Sequence, residues 1–115
     1  MVALWNQTQN QKVIGDLQIA TSLWSRMRGL LGTQELPHDR ALWILACNSI
    51  HTFFMKYPID CVFLDKNMCI ESLVSDVRPG RMVWPKWRAT SVIEMRSGSI
   101  QKMGLRTGDQ LNVGT

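Results

Sequence analysis

The chain lacks any apolar run close to the roughly 20 residues that span a bilayer, so its 115 residues contain no candidate transmembrane helix. It is also short of acids: 9 Asp and Glu stand against 13 Lys and Arg, a formal net charge of +4. Cysteine is scarce and unpaired in pattern. Cys47, Cys61 and Cys69 are odd in number and form no CxxC, which excludes a zinc site of the usual Cys/His spacing. They read as small buried hydrophobes in a reducing compartment, with one disulfide plus a free thiol as the alternative. No nucleophile elbow, phosphate loop or Glu–His zinc helix occurs. Ser49 and Ser91, the serines nearest a histidine, have no sequence context that would activate them. The start, Met1-Val2-Ala3-Leu4-Trp5-Asn6-Gln7, has neither a basic n-region nor an apolar h-region. The expectation is a cytoplasmic protein if the chain is complete, and a periplasmic or exported one if a leader has been removed.

What is present suits one soluble globular domain. Hydrophobic residues make up 45% and charged residues 19%, an ordinary balance for a chain of this length. Residues 1–12 are polar and amide-rich and read as a flexible arm, leaving 13–113 as the domain. Leu17 and Ile19 alternate with polar neighbours, which predicts a strand ending near Ala20 after a turn at Gly15-Asp16. Thr21 or Ser22 can cap a helix over about 22–31, whose apolar face carries Leu23, Met27, Leu30 and Leu31. Short strands follow at 41–46, 50–55, 59–64, 68–77 and 90–95, and Ser99–Met103 forms a helical turn closed by Gly104. The fold class is α+β: a curved, mainly antiparallel, barrel-like sheet with one principal helix.

The run from Ile50 to Asp65 is the most apolar and aromatic part of the chain, yet His51 and Asp60 interrupt it. Unsatisfied polar groups in such a segment cost about 1–3 kcal/mol each, so each residue marks either a polar lock or a site. His51 reads structurally as a ring donating to a backbone carbonyl or carboxylate, and functionally as an acid/base or ligand-contacting imidazole. Asp60 reads as an ion pair or an acceptor of backbone N–H groups fixing the turn after Pro58, or else as a ligand contact. A simple hairpin across 56–58 would set Asp60 opposite Phe54 and away from His51. Arg28 lies off the helical core stripe, where it is either solvated or a carboxylate clamp for Asp60 or Glu94. Glu94 alternates with Ile93 and Met95 and reads as a surface carboxylate. Cys47, His51 and Met55 recur every four residues, a copper(I)-like ligand set. In a strand such residues sit roughly 13 Å apart, which disfavours shared ligation, and no cofactor is expected.

The segment Arg78-Pro79-Gly80-Arg81-Met82-Val83-Trp84-Pro85-Lys86-Trp87-Arg88 reads as a long basic loop. Arg81 and Trp84 are its candidate contacts. One reading tucks Trp84 and Trp87 over an end of the sheet and leaves the cations in solvent. The others are contact with a small ligand or protein, or with nucleic acid or an anionic membrane.

Four ordered elements resemble one family. They are Arg26-Met27-Arg28-Gly29-Leu30-Leu31-Gly32; Cys47 with Ile50-His51-Thr52-Phe53-Phe54-Met55 and Pro58-Ile59-Asp60, running into Val62-Phe63-Leu64-Asp65; Val92-Ile93-Glu94 with Gly98; and Gly104-Leu105-Arg106-Thr107-Gly108-Asp109. The series is similar to the bacterial and archaeal domain-of-unknown-function family numbered 192, over about residues 13–113. The resemblance implies a small α/β domain with a strongly curved sheet, found mostly in bacteria and often in exported proteins. It transfers no catalytic residue. Where relatives often carry Asp-x-x-Gly after the central strand, this chain has Asp65-Lys66-Asn67-Met68.

The functional expectation is a non-enzymatic module that binds a small ligand or protein partner near His51, Asp60 and the 78–88 loop, as a monomer or small homo-oligomer. An enzyme with His51 as acid/base and Arg28 as anion clamp is the alternative. Nucleic-acid binding through the basic loop is a third reading.

Overall fold

The central strand, Ile59–Leu64, is buried at every position, and the rest of the fold is organised around it. The computed structural model describes residues 2–20, 36–53 and 55–115. The helix expected over 22–31, with Arg28, lies outside the described residues. The strands run β1 Ala3–Asn6, β2 Gln11–Ile14, β3 Asp16–Ala20, β4 Arg40–Leu45, β5 Ile50–His51, β6 Ile59–Leu64, β7 Ile70–Val77, β8 Met82–Val83, β9 Ser91–Arg96 and β10 Leu111–Gly114. One short described helix spans Ser99–Met103, closed by Gly104 at φ 63°. The left-handed φ there suits glycine, which has no Cβ to clash.

The α+β class holds, with a division the sequence does not announce. The described strands form three sheets, and they do not close into a barrel. The largest has the order β3-β4-β9-β6-β7, antiparallel except for the parallel β3–β4 pair. A second is β10-β1-β2, and the third is the two-stranded ribbon β5-β8.

Alternation along β6 explains why none of it meets solvent. Ile59, Cys61 and Phe63 enter one core with Leu42, Ile44, Ile50, Val83 and Val92. Val62 and Leu64 enter a second core with Leu4, Ala41, Ile93, Met95 and Ile100. Successive side chains of a strand point to opposite faces, so a strand between two cores is mostly apolar, and its one charged residue, Asp60, must be satisfied from within the protein. The β5–β8 ribbon covers the first face through Ile50 and Val83. The three-stranded sheet and the short helix cover the second through Leu4, Leu111 and Ile100.

Two expectations change here. Residues 1–12, expected as an arm, contain β1 and the start of β2, with Leu4 and Asn6 fully buried. Their polarity serves hydrogen bonding: Asn6 Nδ2 and Gln9 Nε2 donate to Asp109 Oδ2 at 2.9 and 2.8 Å. The strand expected over 50–55 stops at His51, because the Thr52 backbone and hydroxyl are committed to the 78–81 turn. Because β6 pairs with β7 and β9, no hairpin joins Ile50–Met55 to Ile59–Leu64.

Candidate functional site

Asp60 is wholly buried and is surrounded by backbone donors. Its Oδ1 accepts from Asp76 N at 2.8 Å; its Oδ2 accepts from Ile100 N at 2.9 Å and Gly98 N at 3.1 Å. The acceptor role read from the sequence is present, but at different turns. Asp76 has φ 52° where the β6–β7 register shifts between Ile59 and Cys61, and Gly98 has φ 96° at the entry to the short helix. A bulge and a strand-to-helix turn both point N–H groups inward, and one carboxylate satisfies them. The outer side of that bulge is held by Asp76. Its carboxylate accepts from Ser97 Oγ at 2.7 Å and lies 3.2 Å from the Arg78 guanidinium. The Ser97 hydrogen bond, helped by Arg78, holds the Asp76 carboxyl below its ordinary value.

Glu94 is also fully buried, which corrects the expectation of a surface carboxylate. The alternation against Ile93 and Met95 is as expected, but both faces of the sheet are covered. The register sets Glu94 opposite Cys61 and Leu42, whereas Asp60 lies opposite Met95. Facing partners in an antiparallel pair share a side of the sheet. Asp60 and Glu94 therefore occupy opposite faces and cannot act on one substrate.

His51 belongs to the ribbon on the Glu94 side. It faces Met82 across β5–β8 and stacks on Phe53, with ring centroids 4.9 Å apart and an interplanar angle of 25°. Asp60, on the far face, does not join it. Of the possible metal set, Cys47 Sγ donates to Ser49 O at 2.8 Å, and Cys47 and Met55 pack against the first core. Among the described residues, no group of three or more His, Cys, Asp or Glu side chains is gathered as a metal would need.

The basic loop is held firmly and presents its aromatics outward. Thr52, fully buried, is the anchor that sequence reasoning passes over. Its N–H donates to Arg81 O at 2.8 Å, its hydroxyl donates to Arg78 O at 2.6 Å, and its carbonyl accepts from Gly80 N at 2.8 Å. Arg81 N in turn donates to the hydroxyl oxygen at 2.9 Å. Farther along, Lys86 N donates to Asn48 O at 2.9 Å and Ala89 N to Lys86 O at 2.8 Å. A small β-branched residue between two aromatics in a turn-rich setting was the only available hint to this role.

On that scaffold Trp84 is 74% exposed, Trp87 85%, Met82 54% and Phe53 50%. The reading in which Trp84 and Trp87 cover the sheet is thereby overturned; Val83, between Met82 and Trp84, is the residue that turns inward. Met82 and Trp84 share the outer side of the ribbon by alternation. His51, facing Met82, and Phe53, stacked on His51, lie on that side as well. Arg81, which adjoins Met82, and Arg88, which follows Trp87 and lines a depression with Asp65 and Glu71, are both exposed, and neither forms an ion pair among the described residues.

Two shallow depressions adjoin the loop. One, of about 350 Å³, is lined by Ala46, Cys47, Asn48, Ala89 and Thr90. The other, of about 320 Å³, is lined by Asp65, Lys66, Asn67, Glu71, Arg88 and Thr90. Neither includes His51 or Asp60.

Comparison with known proteins agrees with this architecture. The model of the family described as "Uncharacterized ACR", DUF192, matches residues 4–113. A UPF0127 protein of Thermococcus sibiricus is 32% identical over 114 residues, which cover 95% of this chain and 73% of that protein. A UPF0127 protein of Pyrococcus horikoshii is 32% identical over 111 residues, 92% of this chain and 94% of its own. A crystal structure of a protein of unknown function from Novosphingobium aromaticivorans superposes with a TM-score of 0.80 at 14% identity, covering 96% of this chain and 82% of that one. At that identity the likeness speaks to fold alone.

Proposed function

This chain belongs to the DUF192 family, and we propose that it works as a non-enzymatic binding module whose contact surface is the outer strip of the β5–β8 ribbon and its loop. The observation that carries the reading is the exposure of Trp84 and Trp87 on a backbone pinned by Thr52, Asn48 and Lys86. Large aromatic side chains left in water on an ordered loop carry an unfavourable hydration cost that a partner removes. Because the backbone is already ordered, little entropy is lost when the partner docks. Asp60 falls outside this surface, since its oxygens are occupied by backbone donors; His51 remains within it through its stack on Phe53.

The enzyme reading draws no comparable support, because Asp60 and Glu94 lie on opposite sides of the sheet and neither described depression is lined by His51. A photoactivatable amino acid placed at Trp87 in living cells tests the proposal. Adducts are expected at position 87 and not at a control such as Lys102, which is exposed on the short helix. Equal labelling at both positions would refute it.

A further inference from the structure

Resting on that reading, we infer that the occupant of this strip is the surface of an anionic lipid bilayer, into which the ribbon sets its aromatic edge. Four large apolar side chains, Phe53, Met82, Trp84 and Trp87, stand between 50% and 85% exposed. Two of them are tryptophans, whose rings favour the headgroup level where one edge is apolar and the other wet. Within residues 78–88 the charges have a single sign, and the carboxylates near them, Asp76 beside Arg78 and Asp65 and Glu71 near Arg88, lie at the two ends of the loop. From Arg78 to Arg88 every charged residue is basic, and among the described residues only Arg78 is engaged by a carboxylate, that of Asp76. One-signed cations around an apolar strip match an anionic headgroup plane, whereas rims of protein interfaces use both signs to set register.

A nucleic acid fits less well. Met82, unlike an aromatic ring, offers no stacking platform for a base. The inferred contact is peripheral, made by exposed side chains of the ribbon and loop; no described helix is long and apolar enough to cross a membrane.

The test is co-sedimentation of the purified full chain with phosphatidylcholine vesicles, with and without a minority of phosphatidylglycerol. Binding is expected only with the anionic lipid and should fade as salt is raised. Arg81→Gln with Arg88→Gln should weaken it about 25-fold, at roughly fivefold per cation. Trp84→Ser with Trp87→Ser should abolish it without lowering the melting temperature, since both side chains already stand in water. Failure to sediment with anionic vesicles overturns the lipid inference, as does undiminished binding by the tryptophan variant. Retention on heparin or single-stranded oligonucleotides without vesicle binding would assign the strip to nucleic acid. A dimer on gel filtration that Trp84→Ser dissolves would assign it to a second copy of the chain. If vesicles fail while the cross-linker at Trp87 still captures protein, only the lipid occupant is lost; if the cross-linker fails too, the binding-module reading falls with it.

Discussion

Thr52 and Arg81 clasp each other through two reciprocal bonds, Thr52 N to Arg81 O at 2.8 Å and Arg81 N to Thr52 Oγ1 at 2.9 Å. The pair welds the end of β5 to the entry of the basic loop. Thr52→Val keeps the shape and deletes the hydroxyl, leaving the Arg78 carbonyl and the Arg81 N–H without that partner. The expected loss is about 1–3 kcal/mol, read as a lower urea midpoint at unchanged slope. An unaltered midpoint would mean that solvent replaces the hydroxyl at no cost.

Asp60→Asn should destabilise more strongly. The carboxylate accepts three backbone N–H groups, and an amide nitrogen in its place would turn a donor toward donors. Bonds to a charged group contribute roughly 1.5–3 kcal/mol each, so a loss of about 3 kcal/mol is expected. Hydrogen exchange should speed up at the Asp76 and Ile100 amides before the rest of the sheet. If exchange rises uniformly instead, Asp60 is not the local lock described here.

Acid should unfold the chain partly through Asp109 and Asp76. For Asp109, burial raises the carboxyl value, but hydrogen bonds from Asn6, Arg106 N and Gln9 outweigh it and hold the value below 3.8. A carboxyl whose folded value is depressed adds stability above its unfolded value and loses it as pH falls toward the folded one. The stability curve should therefore drop below about pH 4. Asp109→Asn should flatten that limb while lowering stability at neutral pH. A limb of the same steepness in the variant would remove Asp109 from the account.

Glu94 and Arg28 are proposed to be coupled. Asp60, the other carboxylate offered to Arg28 by the sequence, is occupied by backbone donors, whereas Glu94 is a fully buried carboxylate on the opposite face. Charges in such positions are paired or strongly destabilising. A double-mutant cycle of Arg28→Ala and Glu94→Gln should return an interaction of about 1–3 kcal/mol. Additive effects would separate the two residues.

His51→Ala removes the ring stack on Phe53, which contributes about 0.5–1.5 kcal/mol. The thermal melt should remain a single transition while labelling from position 87 in cells declines. Collapse of the fold would make His51 a structural residue instead.

Local patterns were read well where the chain itself decides them. The bounds of β6 and of the Ser99–Met103 helix are those expected, because a short apolar run after Pro58 and a Gly-flanked turn are local signals. The exposure of Glu94 was misjudged because alternation tells which side a residue takes, never whether that side is covered. The partners of Asp60 lie 16 to 40 positions away and belong to a bulge and a turn that no short window reveals. Thr52 was missed for the same reason, its partners lying 26 and 29 residues downstream. The basic aromatic loop was conspicuous in composition, but only three dimensions show that Val83 turns inward and the tryptophans do not.

The pairing of Ala3 with Gly114 makes β1 dependent on a strand that follows all the other described strands. While the polypeptide emerges, Leu4 has no β10 to cover it, and β1 can hold only its hairpin with β2. Closing that gap spans almost the entire chain, so the β10-β1-β2 layer should assemble late, after the five-stranded sheet has collapsed. Until β10 arrives, the edge of β1 that it pairs with stays open and the Leu4 side chain lacks part of its cover.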